Sequence, residues 1–177
     1  MKDIYNFMKT PVLQKLLTLV AMLSLPLSHA MGEFDSKVTS VPSEVRSYLG
    51  LSDFYQKRVA VGDFSVLGSK KVSDYALKEA GFLICQMVGG KDELLTALNQ
   101  QKTRFVVMAR NEFTTDVPEH SDLQPSLYWD RRARGLGATP SRPVVSCGEE
   151  NLLCISGDPY DSENILIHEF AHALHEM

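Results

Sequence analysis

His168-Glu169-Phe170-Ala171-His172-Ala173-Leu174-His175-Glu176-Met177, the last ten residues of the sequence, decide how the rest is read. His168 and His172 are four residues apart, so on a helix they project from one face, about 6 Å apart along the axis. Two imidazole nitrogens so placed can converge on one zinc ion at about 2.0–2.1 Å. Glu169 follows the first histidine and points to the neighbouring sector, where it can take a proton from a zinc-bound water whose pKa the metal lowers toward ~7. This is the H-E-x-x-H arrangement of metalloproteases. Five residues alone recur by chance, but the flanks add weight. Ile165-Leu166-Ile167 and Ala173-Leu174 are apolar, and no proline interrupts them.

Working outward, the helix is predicted to start at Asp158 with Pro159 in its first turn, or one turn later at Asp161 or Ser162. Ile165, Leu166, Ile167, Phe170, Ala171 and Leu174 are apolar nearly all round, which predicts a buried helix. His175 lies seven residues from His168, a rise of about 10.5 Å on a straight helix. That is too far for a shared ion, so His175 is a candidate for the shell around the ligands. A catalytic zinc takes three protein ligands, and the motif supplies two. The upstream cluster that could donate a third is Asp116, Glu119 and His120, although loop carboxylates and histidines are more often solvated.

Between the termini, Val59 to Leu67 reads as a strand or hairpin limb around Gly62. Ser73 is predicted to cap a helix carrying Leu77, Ala80, Leu83, Ile84, Met87 and Val88, stopped by Gly89-Gly90. Lys91 to Gln101 reads as a second helix with Leu94, Leu95 and Leu98 on one face. Arg104 to Ala109 reads as a buried strand. Residues 111–147, rich in proline and containing Gly135-Leu-Gly137, read as a long loop region.

The N-terminus has the three parts of a secretory signal peptide: Lys9 and Lys15, the apolar stretch Leu16 to Leu27, and Ser28-His29-Ala30. Cleavage is expected after Ala30, with translation starting at Met1 or Met8, so the protein is expected to be secreted or periplasmic. The apolar run is too short and too broken for a span of ~20 residues, so no membrane association is expected after cleavage. Residues 31–48 are expected to be a linker and 49–177 the domain. The whole chain carries −4, and the leader is +2, leaving −6 on residues 31–177. An acidic domain has no electrostatic footprint for nucleic acid, and Arg131-Arg132-Ala133-Arg134 reads as a solvated loop beside Asp130. In an oxidising compartment Cys147 and Cys154 could close a small disulfide loop, while Cys85 reads as a buried free thiol. No cysteine pair has the C-x2–4-C spacing of a zinc site.

From about Leu49 to Met177 the sequence resembles a group of secreted, poorly characterised metallopeptidase-like proteins of bacteria and fungi. The stretches that carry the resemblance are Gly68-Ser-Lys-Lys-Val-Ser-Asp74, Arg104-Phe-Val-Val-Met-Ala109, Thr114-Thr-Asp-Val-Pro-Glu-His120, Tyr128-Trp-Asp-Arg-Arg-Ala-Arg-Gly-Leu-Gly137, Gly148-Glu-Glu-Asn-Leu-Leu153 and Gly157-Asp-Pro-Tyr160. More distantly, Ile165 to His175 is similar to the active helix of the anthrax lethal factor catalytic domain, a zincin. The resemblance implies that His168 and His172 bind Zn2+ and that Glu169 is the general base acting on a peptide or protein substrate. It implies an α+β zincin-like fold, a mixed sheet whose edge strand holds substrate above the active helix. In such families the third ligand is a glutamate on a following helix, which this sequence does not contain. The expectation is therefore a zincin-like metallopeptidase domain, C-terminally truncated and incomplete. The alternative is a secreted zincin-like domain that binds a partner without catalysis. Hydrolysis of a non-peptide amide is a third reading, because zinc-water chemistry does not itself choose the substrate.

Overall fold

The computed structural model describes residues 36–177; the expected signal peptide, 1–30, lies outside them. These residues form a mixed α+β fold around one six-stranded mixed sheet, in the order β1-β2-β3-β4-β6-β5. The strands are β1 (Thr39–Ser40), β2 (Lys57–Val61), β3 (Phe64–Gly68), β4 (Arg104–Met108), β5 (Gly135–Leu136) and β6 (Val144–Gly148). The helices are α1 (Ser43–Leu49), α2 (Asp74–Val88), α3 (Asp92–Gln100), α4 (Ser126–Arg132), α5 (Glu149–Leu152) and α6 (Ile165–Glu176). No helix of the described residues is long and apolar enough to cross a membrane.

The hairpin expected around Gly62 is β2–β3, with Val61 paired to Phe64 across a two-residue turn. Gly62 sits at φ +56°, a left-handed conformation that side-chain-bearing residues rarely adopt. β3 and β4 are parallel and need a crossover, which α2 and α3 supply. Ser73 caps α2 by accepting from the Tyr75 N–H, and Gly89 ends it at φ +58°. α3 buries Leu95 and Leu98, while Leu94 is exposed.

Side chains alternate across the strands, and this sorts the core into two layers. Val59, Val61, Phe64, Val66, Phe105, Val107, Val145 and Cys147 face α2, α3 and α6. Leu67, Val106, Met108 and Val144 face the other way, against Leu49, Leu51, Tyr55 and Val117.

Several expectations are corrected. The described part of the 31–48 linker holds β1 and most of α1, whose Leu49 is buried in the second layer. The loop region 111–147 contains α4, β5 and most of β6; β6 is buried along its whole length and pairs in parallel with β4. α6 starts at Ile165 rather than near Asp158, because Asp158 is used elsewhere. Its carboxylate accepts from Asn151 Nδ2 at 2.7 Å and from the Tyr160 N–H at 3.0 Å. The helix is also not buried all round. Ile165, Leu166, Phe170 and Ala173 face the core, whereas Ile167, His168, His172, His175 and Glu176 are exposed.

The Cys147–Cys154 disulfide is not formed. Cys147 projects from β6 into the first core layer, whereas Cys154 is exposed beyond α5 at φ +51°. Cys85 is a free thiol, half-buried rather than buried. The arginine run is not a loop either. Arg131 and Arg132 end α4, and Arg134 makes a two-pronged ion pair with Glu150, 2.5 Å from Nε to Oε1 and 2.9 Å from Nη2 to Oε2.

Candidate metal site on the C-terminal helix

α6 is positioned by anchors at its start and at its middle. At the start, Asn164 accepts from the Ile167 N–H at 3.0 Å, the bond expected of an N-cap. Asn151 on α5 accepts from the Ile165 N–H at 2.8 Å, and its amide donates to Asp158 and to the Tyr160 and Glu163 carbonyls. One buried asparagine therefore ties α5, the approach segment and the first turn of α6 together. In mid-helix, Phe170 is fully buried edge-on against Phe64 and Phe105, at centroid distances of 5.8 and 6.5 Å. Because Phe170 follows Glu169, its anchoring fixes the rotation of the helix, and that rotation decides where Glu169 and the histidines point.

His168 and His172 stand on one face with ring centroids 5.0 Å apart, each about half exposed. Nδ1 of His168 lies 3.4 Å from a Glu163 carboxylate oxygen, and Nδ1 of His172 lies 4.0 Å from one of Glu176. Glu169 is partly buried between them. Burial raises its pKa above the ordinary glutamate value, and the neighbouring His168 and His172 oppose that rise.

The edge strand closes over this group. Gly135 pairs with Cys147 of β6, and Leu136 with Ser146. Alternation turns residues 135 and 137 toward α6, and both are glycine. A Cβ on Gly135 would fall 2.2 Å from Ile165 Cγ2, and one on Gly137 3.2 Å from Glu169 Oε2 and 3.4 Å from His172 Cβ. The backbone of the edge strand thus lies against the side chains of the H-E-x-x-H helix, an approach that requires glycine at position 135 and is tight at position 137.

The donor set fits zinc in part. His168 and His172 have the residue type and spacing of a ligand pair, but among the described residues no group of three His, Cys, Asp or Glu side chains converges on one point. His175 is exposed at the end of the helix. The upstream cluster is on the wrong side of the sheet. His120 is buried with Nε2 3.2 Å from Ser146 Oγ, and Ser146 faces away from α6 because its neighbours Val145 and Cys147 face toward it. Glu119 accepts from Tyr55 and Arg104, and Asp116 from the Phe113 N–H. The Tyr55 hydroxyl is held protonated, first by burial and then by the Glu119 carboxylate.

Sequence reasoning missed Asn151, Asn164, Glu163 and the two glycines as builders of this site. The Gly-Leu-Gly spacing was the visible signal, since two glycines one residue apart on a strand place both bare positions on one face. Comparisons of the chain with models of protein families, with curated proteins and with solved structures found no match.

Proposed function

We propose that this chain is a secreted zinc-dependent metallopeptidase domain of zincin type. The observation that carries the proposal is the packing of the Gly135–Gly137 edge over Glu169 and His172, which brings a backbone able to bind extended peptide against an H-E-x-x-H helix. His168 and His172 would hold the metal. A bound zinc supplies Lewis acidity toward water and toward the scissile carbonyl. The chain's own groups do the rest. Glu169 accepts a proton from the attacking water at its carboxylate and returns it to the departing amine nitrogen. The open side of β5 offers N–H and C=O groups to a substrate strand and holds its carbonyl in register.

The second reading is a zincin-like domain that binds peptide without cutting it, and the two-histidine donor set among the described residues favours it. The readings separate on purified full-length chain. The peptidase reading expects roughly one zinc per chain by metal analysis, lost in His168→Ala. It also expects cleavage of an unstructured protein substrate that Glu169→Gln abolishes while keeping the zinc. Zinc content unchanged by His168→Ala would sink the site. Zinc held without cleavage would select the binding reading.

A further inference from the structure

α4 is a helix with no buried residue. It is not packed into the core but pinned by polar bonds. Asp130 accepts from the Thr115 N–H at 2.9 Å and the Thr115 hydroxyl at 3.0 Å. Tyr160 donates to the Arg132 carbonyl, and Thr114 to that of Ala133. The outward side carries Leu127 and Tyr128, 59% and 51% exposed. With Pro125, Arg131, Arg132 and Tyr160 they line an open groove of about 690 Å³. Large apolar side chains left together in water on a pinned helix mark a contact surface.

The two arginines give the partner its sign. Every other arginine among the described residues is bonded: Arg46 to carbonyls, Arg58 to Ser65, Arg104 to Glu119, Arg110 to the Ser156 carbonyl, Arg134 to Glu150 and Arg142 to Asp122. Arg131 and Arg132 make no ion pair among the described residues, and Arg132 only overhangs the Tyr128 ring, 5.9 Å from its centroid. Two uncommitted guanidinium groups therefore flank an aromatic and aliphatic surface, in a domain whose residues 31–177 carry −6 overall. That net charge repels nucleic acid and anionic membranes at range, while the local pair attracts a compact anionic group.

The groove is tied to the candidate site from two sides. Arg132 is three residues before Gly135, no more than about 11 Å of extended chain, and Tyr160 is five residues before Ile165. We propose that this groove is a substrate-binding subsite that takes an acidic peptide segment with an apolar or aromatic anchor. The anchor lies on Leu127 and Tyr128, and the carboxylates meet Arg131 and Arg132. This rests on the peptide-binding reading of the β5 edge and narrows it to a substrate class.

Trp129, the single tryptophan, lies in α4 beside Tyr128 at a ring-centroid distance of 5.6 Å, so its fluorescence reports on the groove. Full-length protein is titrated with a hexapeptide that has a Phe-Leu centre flanked by two acidic residues on each side, and with its lysine-flanked counterpart. The expected result is saturable quenching or shift with the acidic peptide, weakened by salt, and roughly tenfold weaker or no binding of the basic one. The Arg131→Glu/Arg132→Glu variant, whose altered side chains hold no structural bond, should melt like wild type and invert the preference. Equal binding of both peptides, or unchanged acidic binding in the variant, overturns the proposal. So does tighter binding of phosphatidylserine vesicles or of a single-stranded oligonucleotide than of the acidic peptide. Because binding is read without zinc or turnover, acidic binding with no zinc and no cleavage removes the peptidase reading alone, whereas cleavage without charge preference removes the groove alone.

Discussion

Gly137 and Glu169 approach so closely that a Cβ on the glycine would stand 3.2 Å from the carboxylate oxygen Oε2. The obstructed atom is the end of a flexible side chain, so Gly137→Ala displaces Glu169 rather than the backbone. The expected outcome is a stability cost below about 1 kcal/mol, with peptide cleavage slowed by about tenfold or more through misplacement of the base. Thermal melts and initial rates on one preparation check this. Equal activity with an unchanged melt would detach the edge strand from the chemistry.

Gly135 is obstructed by a different kind of atom. Its Cβ would meet Ile165 Cγ2 at 2.2 Å and the Ser146 carbonyl oxygen at 2.8 Å, neither free to retreat. Gly135→Ala should cost about 1–3 kcal/mol. Ile165→Ala removes the methyl, so the double variant should be less destabilised than the sum of the two single changes. Denaturant unfolding of the four proteins measures the coupling, and strict additivity would contradict the contact.

His120 makes stability depend on pH far from the candidate site. Burial lowers its pKa from 6.5 to about 4, helped by Arg142 and opposed by Glu119 and Asp122. Above pH 6.5 neither folded nor unfolded chain holds the proton, and the contribution is fully present. Between pH 6.5 and 4 the unfolded chain binds a proton that the folded chain refuses, so stability falls with falling pH by up to about 3 kcal/mol. His120→Gln keeps a partner for Ser146 and does not titrate, so its stability should be flatter from pH 6.5 to 5. Identical slopes for the two proteins would exclude His120 as the cause.

The cysteines can be told apart by accessibility. Cys154 is exposed, and the Cys147 thiol is fully buried with its pKa pushed well up by that burial. A maleimide should label Cys154 in native protein and reach Cys147 only in denaturant. Both sites blocked until reduction would restore the disulfide that the structure lacks.

Truncation of the anchors of α6 should report on how the helix is aimed. Phe170→Ala is expected to cost about 3–5 kcal/mol, and Asn164→Ala about 1 kcal/mol for loss of the cap. Asn151→Ala leaves the Ile165 N–H without its acceptor and the Asp158 carboxylate with only the Tyr160 N–H, and should cost about 1–3 kcal/mol. Retained stability in Asn151→Ala would mean that the approach segment holds its own shape.

Local rules made much of this legible. Ser73 and Gly89 mark the ends of α2, and Val106 and Val107 declare β4, because capping and β-branching act within a few residues. The start of α6 was misread because Asp158, Asp161, Ser162 and Asn164 are all capping types. The choice among them is made by Asn151, which occupies Asp158 and binds the Ile165 N–H. β6 was hidden for a similar reason. It follows Pro143 and carries Ser146 and Gly148, and only burial on both faces makes it a strand. The side of the sheet on which His120 lies follows from the parity of Ser146 in β6, which has no local signature at all.

The edge over Glu169 has a further consequence for kinetics. β5 is two residues long and forms one margin of the sheet. A margin that short is a poor template for unwanted strand pairing. It also limits any visiting chain to a few backbone bonds of about 1 kcal/mol each. Occupancy at the edge alone should be brief, and a long residence time has to come from side chains gripping elsewhere on the surface.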